Sequence, residues 1–169
     1  MPYPATVIAN EFIALARDTG KTLTPLKLQK LVYFAHGWCL ALTGKALISD
    51  HVQAWQYGPV IPSIYHQFKA VGNGPIDDLS PELGNVGGLK FASKAKLDNF
   101  PATEERQHAK EIVAKVLEIY GRYSAARLSN ATHQTGTPWQ QVYKDGERKI
   151  AIPNELIRTY FKGIANASA

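Results

Sequence analysis

Hydrophobic and polar residues follow one another along most of this chain with the period of amphipathic helices. Apolar residues that recur at i, i+3, i+4 and i+7 are typical of one buried helix face. Helix-starting residues and terminating glycines divide this pattern into segments. The pattern predicts helices over residues 4–18, 24–44, 62–71, 103–121 and 124–132, followed by a short helix from 137 and a last one from 153.

The strongest pattern predicts a long helix between Thr24 and Gly44. Thr24 can cap it, Pro25 suits its first turn, and Gly44 can end it. Its main apolar stripe consists of Leu28, Leu31, Val32, Ala35, Trp38, Cys39 and Leu42. The opposite side is also apolar, so we expect this helix to run through the middle of the domain. Gly37 and Ala41, four residues apart, are expected to let another helix come close.

The next segment has the alternation of an extended chain. Residues 52–55 alternate in polarity, which predicts a small β element near Gln53–Tyr57. Gly58-Pro59 is then expected to form a tight corner before the helix that Pro62 opens.

Helical periodicity fades between residues 72 and 102, where glycine and proline are frequent. We expect an irregular insertion at about 72–102, with a second short β element near Leu89–Phe91. A structureless loop of that length would be unusual in a compact domain. The predicted fold class is therefore mainly α: a single compact domain over residues 1–169, with about six to seven helices and at most a small β element.

Composition narrows the class of protein. A length of 169 residues suits one domain, and 45% apolar with 20% charged residues is typical of globular proteins. The only cysteine, Cys39, excludes an internal disulfide. No run reaches the roughly 18–20 apolar residues that span a membrane, and the N-terminus lacks a signal-peptide pattern. We therefore expect a cytoplasmic protein without a membrane partner. The net charge of +5 is spread over scattered lysines and arginines.

Residues that carry chemistry are present but do not form a catalytic or metal-binding pattern. His36 and Cys39 are three apart on a helix and could pair as base and nucleophile, yet Cys39 lies on the predicted core stripe. The five histidines show no zinc-ligand spacing. The acidic pair Asp77-Asp78 and the segment GNVGG at 84–88 are expected to be loop and turn. We predict that the protein is not an enzyme and has no cofactor.

One segment has the outline of a helix-turn-helix. Residues 123–142 predict two short helices around a turn, and the second would present Gln140, Gln141 and Lys144. A strong basic stripe is missing, and Trp139 would have to pack inward. We therefore expect a structural helix pair, and nucleic acid is not the expected partner.

The order of several unusual residues resembles a known family. KLQKLVYFAHGW at 27–38, a Gly44-Lys45 turn and AWQYGPVIPSIY at 54–65 closely resemble the Panacea domain, also called the SocA-like or phage-associated GepA-like family. The resemblance continues more weakly to the segment around Trp139. It implies an antitoxin that neutralises a protein toxin encoded nearby, by direct binding or by delivering it to a protease. The alternative is a DNA-binding regulator, or a phage accessory protein that acts on a host factor.

Partner-binding residues are predicted at two places. Trp55, Tyr57 and Tyr65 cluster around the Gly-Pro corner, and exposed Trp and Tyr side chains are common interface anchors. The resemblance implies that this corner recurs in members with different toxins, which favours a scaffold role for it. We therefore expect specificity in the irregular insertion, with Leu89 and Phe91 as anchors.

Overall fold

A computed structural model describes residues 2–77 and 94–168. Seven α-helices lie in these residues: α1 (Ala5–Asp18), α2 (Pro25–Thr43), α3 (Pro62–Phe68), α4 (Glu104–Tyr120), α5 (Ala125–Thr132), α6 (Pro138–Val142) and α7 (Asn154–Ala167). One antiparallel sheet, of order β2-β1-β3, contains β1 (Gln53–Trp55), β2 (Gly58–Val60) and β3 (Ile150–Ala151). The prediction of a mainly α fold with a small β element is confirmed.

Helix α2 lies in the middle of the fold, as its apolar pattern predicted. Helices α1, α3, α4, α5 and α7 all pack against it. The Thr24 hydroxyl accepts a hydrogen bond from the Lys27 amide, and Gly44 ends the helix in the left-handed conformation. The predicted stripe is buried except at two positions: Trp38 is half-buried, and Leu42, 68% exposed, lies at the rim of an open groove between α2 and α4.

Helix α7 approaches α2 at Gly37, which confirms the expected close contact. A Cβ atom at Gly37 would overlap the ring of Phe161, which is completely buried. The Phe161 ring lies 5.8 Å from that of Tyr33 and 5.3 Å from that of Trp38, both in edge-to-face geometry. The missing side chain at Gly37 therefore lets the aromatic core between α2 and α7 close.

The remaining helices begin where the sequence indicated. Hydroxyl groups of Thr103, Ser124 and Thr137 accept hydrogen bonds from backbone amides in the first turns of α4, α5 and α6. The buried side of α4 carries Ala109, Val113, Val116 and Leu117. In the described part of the irregular insertion, a 3-10 turn at Leu97–Asn99 buries Leu97 completely.

The predicted corner at Gly58-Pro59 is wrong. The chain instead reverses at residues 56–57. Gly58 and Pro59 belong to β2 and pair with Trp55 and Ala54 of β1. Proline is accepted there because β2 is an edge strand. Strand β3 pairs with the other side of β1 and was not predicted. The β element expected near Leu89–Phe91 lies outside the described residues.

We predict that Gly37→Ala destabilises the protein by about 1–3 kcal/mol, the usual cost of overpacking a core. Alanine favours a helix more than glycine does, so helix propensity alone would raise the free energy of unfolding. A decrease therefore reports the clash with Phe161. Chemical denaturation of both proteins measures the free energy of unfolding.

Gly163→Ala on α7 is the matched control for this substitution. A Cβ atom there meets nothing within 4 Å, so alanine should stabilise by about 0.5–1 kcal/mol. Stabilisation by both substitutions would contradict the close approach of α7 to α2.

Candidate functional site

The three described side chains predicted to bind a partner lie on the β1–β2 hairpin and α3. The Trp55 and Tyr65 rings contact each other with centroids 4.9 Å apart. Tyr57 lies in the hairpin turn and is 69% exposed, and Tyr65 is 43% exposed. We call Trp55, Tyr57 and Tyr65 the aromatic surface. Leu89 and Phe91, the other two predicted anchors, lie outside the described residues.

A fully buried lysine lies beneath this hairpin. The Lys30 amine, on α2, donates hydrogen bonds to the carbonyl oxygens of Tyr57 (3.1 Å) and Pro59 (3.0 Å). Its partners among the described residues are these carbonyls rather than a carboxylate. Burial without a counter-charge lowers the pKa of Lys30 to about 7. The neutral amine still has enough hydrogen atoms for both bonds.

Gly58 is required where the hairpin passes over Lys30. Its φ of +107° lies in a region that side chains other than glycine rarely adopt. A Cβ atom there would also lie 2.8 Å from both the Lys30 amine nitrogen and the Thr132 hydroxyl oxygen. Glycine therefore allows α2, α5 and the hairpin to meet.

Gln29 extends this contact to the residue after β2. Its amide nitrogen donates to the Ile61 carbonyl (3.0 Å), and its oxygen accepts from the Ile61 amide (2.9 Å). Both residues are buried, so the side chain satisfies two backbone groups that water does not reach. Consecutive polar residues of α2 thus hold consecutive parts of the hairpin and the start of α3.

Helices α5 and α6 hold the other side of the turn. The Ser129 hydroxyl donates to the Tyr57 carbonyl (3.1 Å), and the Trp139 indole nitrogen donates to the Trp55 carbonyl (2.6 Å). The His133 ring lies between the carbonyl oxygens of Ser129 (2.7 Å) and Gln56 (3.4 Å). His133 therefore bonds backbone carbonyl groups of α5 and of the hairpin turn.

The hairpin backbone is thus fixed from two sides, while its aromatic side chains face outward. Carbonyl groups at 55, 56, 57 and 59 all lie within hydrogen-bonding distance of side chains from α2, α5 or α6. The β1–β2 hairpin supports the scaffold through its backbone, as expected for this segment. It also presents exposed aromatic rings. A surface held in this way loses little backbone entropy when it binds a partner.

Sequence reasoning missed Lys30, Gln29 and Ser129 as parts of this site. Lys30 and Gln29 could have been found from the sequence, because polar residues on a helix that is apolar on all sides must be buried with partners. No pattern in the sequence indicates the role of Ser129, because its partner Tyr57 is 72 residues away in the chain.

The candidate catalytic pair His36 and Cys39 serves packing. His36 is completely buried and contacts Asn154 of α7 and Ile48. One ring nitrogen lies 2.9 Å from the Asn154 side-chain oxygen, and the other accepts from the Ile48 amide. Burial lowers the pKa of His36 and raises that of Cys39, which is the reverse of an activated pair.

The helix-turn-helix outline exists, but its second helix is only five residues long. The Gln140 side-chain oxygen accepts from the Gly136 amide, and the Gln141 amide group donates to the Gly136 carbonyl. Trp139 is 9% exposed, as expected for an inward residue. These glutamines therefore stabilise their own turn, an arrangement that does not favour base readout.

The other candidate features give no site among residues 2–77 and 94–168. This part of the chain contains no group of three or more His, Cys, Asp or Glu side chains placed to hold a metal. None of its helices is long and apolar enough to cross a membrane. Asp77 accepts a hydrogen bond from Arg17 through its backbone, whereas Asp78 and the GNVGG segment lie outside the described residues.

Comparison with known proteins gives two matches. Residues 28–140 match the family model described as "Antitoxin SocA-like, Panacea domain", a range that includes most of α2 and the whole hairpin. Over 138 residues the chain is 32% identical to Antitoxin SocA of Caulobacter vibrioides (strain NA1000 / CB15N), covering 82% of this chain and 69% of that protein. No solved structure matches the chain significantly.

We predict that Lys30 makes stability rise with pH above about 7. The pKa is near 7 in the folded state and about 10.5 when unfolded, so the unfolded state binds more protons between these values. Wild type should therefore gain about 1 kcal/mol per pH unit relative to Lys30→Met in this window, and nothing below it. Urea denaturation of both proteins at pH 6, 7.5 and 9 measures the difference.

The exposed Lys144 provides a control, because Lys144→Met should leave the pH dependence of the wild type unchanged. Parallel pH profiles for wild type and Lys30→Met would show that the Lys30 amine keeps its ordinary pKa in the folded protein.

Proposed function

Because the chain belongs to the Panacea domain family of SocA-like antitoxins, we propose that it neutralises a protein toxin encoded nearby by forming a direct, stoichiometric complex with it. Family membership indicates the antitoxin role, and the relative in Caulobacter is itself named an antitoxin. The single observation that supports direct binding is the exposed aromatic surface on a fixed hairpin.

We place the toxin contact at the aromatic surface. Tyr57 and Tyr65 expose large side chains beside a backbone held by hydrogen bonds from α2 and α5. Tryptophan and tyrosine are enriched among the residues that dominate binding energy. A fixed backbone keeps the entropic cost of binding low. The alternative anchors predicted from the sequence, Leu89 and Phe91, are tested in parallel below.

The charge near this surface favours an acidic partner. The loop at 144–149 carries three basic residues against two acidic ones, Asp145 and Glu147. The exposed Lys144, Arg148 and Lys149 lie on this loop, which leads to β3, and Ile150 of β3 pairs with Ala54 of the hairpin. This loop therefore runs next to the strand that carries Trp55. Complementary charge of this kind raises association rates and selects partners.

Neutralisation without turnover fits the chemistry of the described residues. His36 and Cys39, the pair with the best catalytic spacing, are both engaged in packing. We therefore propose binding as the mode of action, either as sequestration alone or as a first step that delivers the toxin to a protease.

Co-expression with the neighbouring gene product tests the proposed surface. We predict that Tyr57→Ser with Tyr65→Ser weakens the complex at least about tenfold and abolishes growth rescue, because hot-spot truncations cost this much or more. Binding is measured with purified proteins, and growth is measured in cells that express the toxin.

Leu42→Ser is the matched control for exposure. Leu42 is 68% exposed against 69% for Tyr57, but it lies on the α2–α4 groove. The control should bind and rescue like wild type. Loss of binding in the control but not in the tyrosine variant would move the contact to that groove.

A double substitution of Leu89 and Phe91 tests the sequence-based expectation. Loss of neutralisation in this variant, with an intact fold and an unaffected tyrosine variant, would place specificity in the irregular insertion. Full rescue by it would leave the aromatic surface as the contact.

The amount of antitoxin needed separates sequestration from protease delivery. Sequestration predicts that purified toxin is inhibited at one equivalent of this protein without any other component. Inhibition only in cells, together with a shortened toxin lifetime, would indicate delivery to a protease. Inhibition of purified toxin by far less than one equivalent of this protein would contradict both sequestration and delivery to a protease.

A further inference from the structure

A second site lies where α2, α4, α5 and α7 meet. A partly open cavity of about 260 Å³ lies there, and five of its eleven lining residues are aromatic. Its main lining residues are Tyr33, Phe34, Tyr120, Arg127, Tyr160 and Ile164. The Phe34 and Tyr120 rings are stacked face to face with centroids 4.6 Å apart, and both belong to the lining. The cavity opens beside Arg127 and Ala131, which are exposed.

Tyr33 contributes to this cavity a hydroxyl group without a partner among the described residues. Tyr33 is 2% exposed, and its hydroxyl makes no hydrogen bond to any described residue. Burial raises the pKa of Tyr33 far above its ordinary value, so the hydroxyl keeps its proton and can donate it to a ligand. Buried polar groups are nearly always satisfied, and one left open in a cavity is expected to meet a ligand or water.

The mouth of the cavity carries uncompensated positive charge. The Arg127 guanidinium lies 4.2 Å from the centre of the Tyr123 ring, and that of Arg122 lies 5.1 Å from it. Neither arginine pairs with a carboxylate among the described residues. A planar guanidinium held over an aromatic ring is well placed to bind a carboxylate.

We propose that this cavity binds a small hydroxylated aromatic carboxylate. The ring would lie against the aromatic lining, its hydroxyl would meet the Tyr33 hydroxyl, and its carboxylate would pair with Arg127 at the mouth. The size fits one ring, because a cavity of about 150 Å³ holds benzene and drug-sized ligands need roughly 300–1,000 Å³. This proposal does not depend on toxin binding, since the aromatic surface lies on other elements.

Titration of the full chain with three probes, followed by NMR shifts of the Ile164 methyl groups, tests the proposal. Wild type should bind 4-hydroxybenzoate at least about fivefold more tightly than benzoate, which lacks the hydroxyl. It should also bind 4-hydroxybenzoate at least about tenfold more tightly than 4-hydroxybenzamide, which lacks the charge.

Two variants assign these differences to named residues. Tyr33→Phe should remove the preference for the ligand hydroxyl. The variant should fold at least as stably as wild type, because it removes a hydroxyl that has no partner among the described residues. Arg127→Gln should remove the preference for the carboxylate. Arg148→Gln, an exposed arginine outside the cavity, is the matched control and should keep both preferences.

Three results would overturn the proposal. The first is the absence of saturable shifts for all three probes up to about 10 mM, far weaker than ordinary small-molecule sites. The second is a Tyr33→Phe protein that still prefers 4-hydroxybenzoate to benzoate. The third is equal loss of affinity in Arg127→Gln and Arg148→Gln, which would indicate general charge attraction.

Discussion

The aromatic surface depends on the buried contact between the Lys30 amine and the hairpin carbonyls. Burying an amine costs several kcal/mol unless it is neutral or well bonded, and Lys30 is bonded to Tyr57 and Pro59 instead of a carboxylate. The Tyr57 carbonyl also accepts a hydrogen bond from Ser129, so α2 and α5 share this oxygen. Gln29 and the α5–α6 side chains complete this arrangement. Side chains of α2, α5 and α6 therefore converge on the backbone of residues 55–61.

The helices could largely be predicted from the sequence because their signals are local. Capping hydroxyls at Thr24, Thr103 and Ser124 and the left-handed glycine at Gly44 act within one turn of the chain. The strand pairing of the sheet could not be predicted from the sequence. Strands β2 and β3 are two or three residues long and exist through pairing with β1. The dipeptide Gly58-Pro59 favours a turn locally, and only its position at the sheet edge makes it a strand.

The candidate site was predictable in part. Trp55, Tyr57 and Tyr65 were identified by residue type, and the family resemblance of the surrounding segment is confirmed by the matching family model. The buried bonds that hold this surface join residues 27 to 84 positions apart, and no periodicity reveals such pairs. The unpartnered Tyr33 hydroxyl was equally hidden, since its helix position indicated only burial. Leu89 and Phe91 lie outside the described residues and stay a prediction.

We propose that this antitoxin-family protein presents an exposed aromatic surface on a fixed hairpin to its toxin. Hydroxyl-radical footprinting of the free protein and of its complex with the neighbouring gene product tests this most directly, because it reports the exposure of each side chain. If the toxin binds the aromatic surface, oxidation of Tyr57 and Tyr65 falls in the complex. Oxidation of Leu42 and Ile119, which are also exposed, is then unchanged. Protection of Leu42 and Ile119 with unchanged Tyr57 and Tyr65 would contradict the proposal.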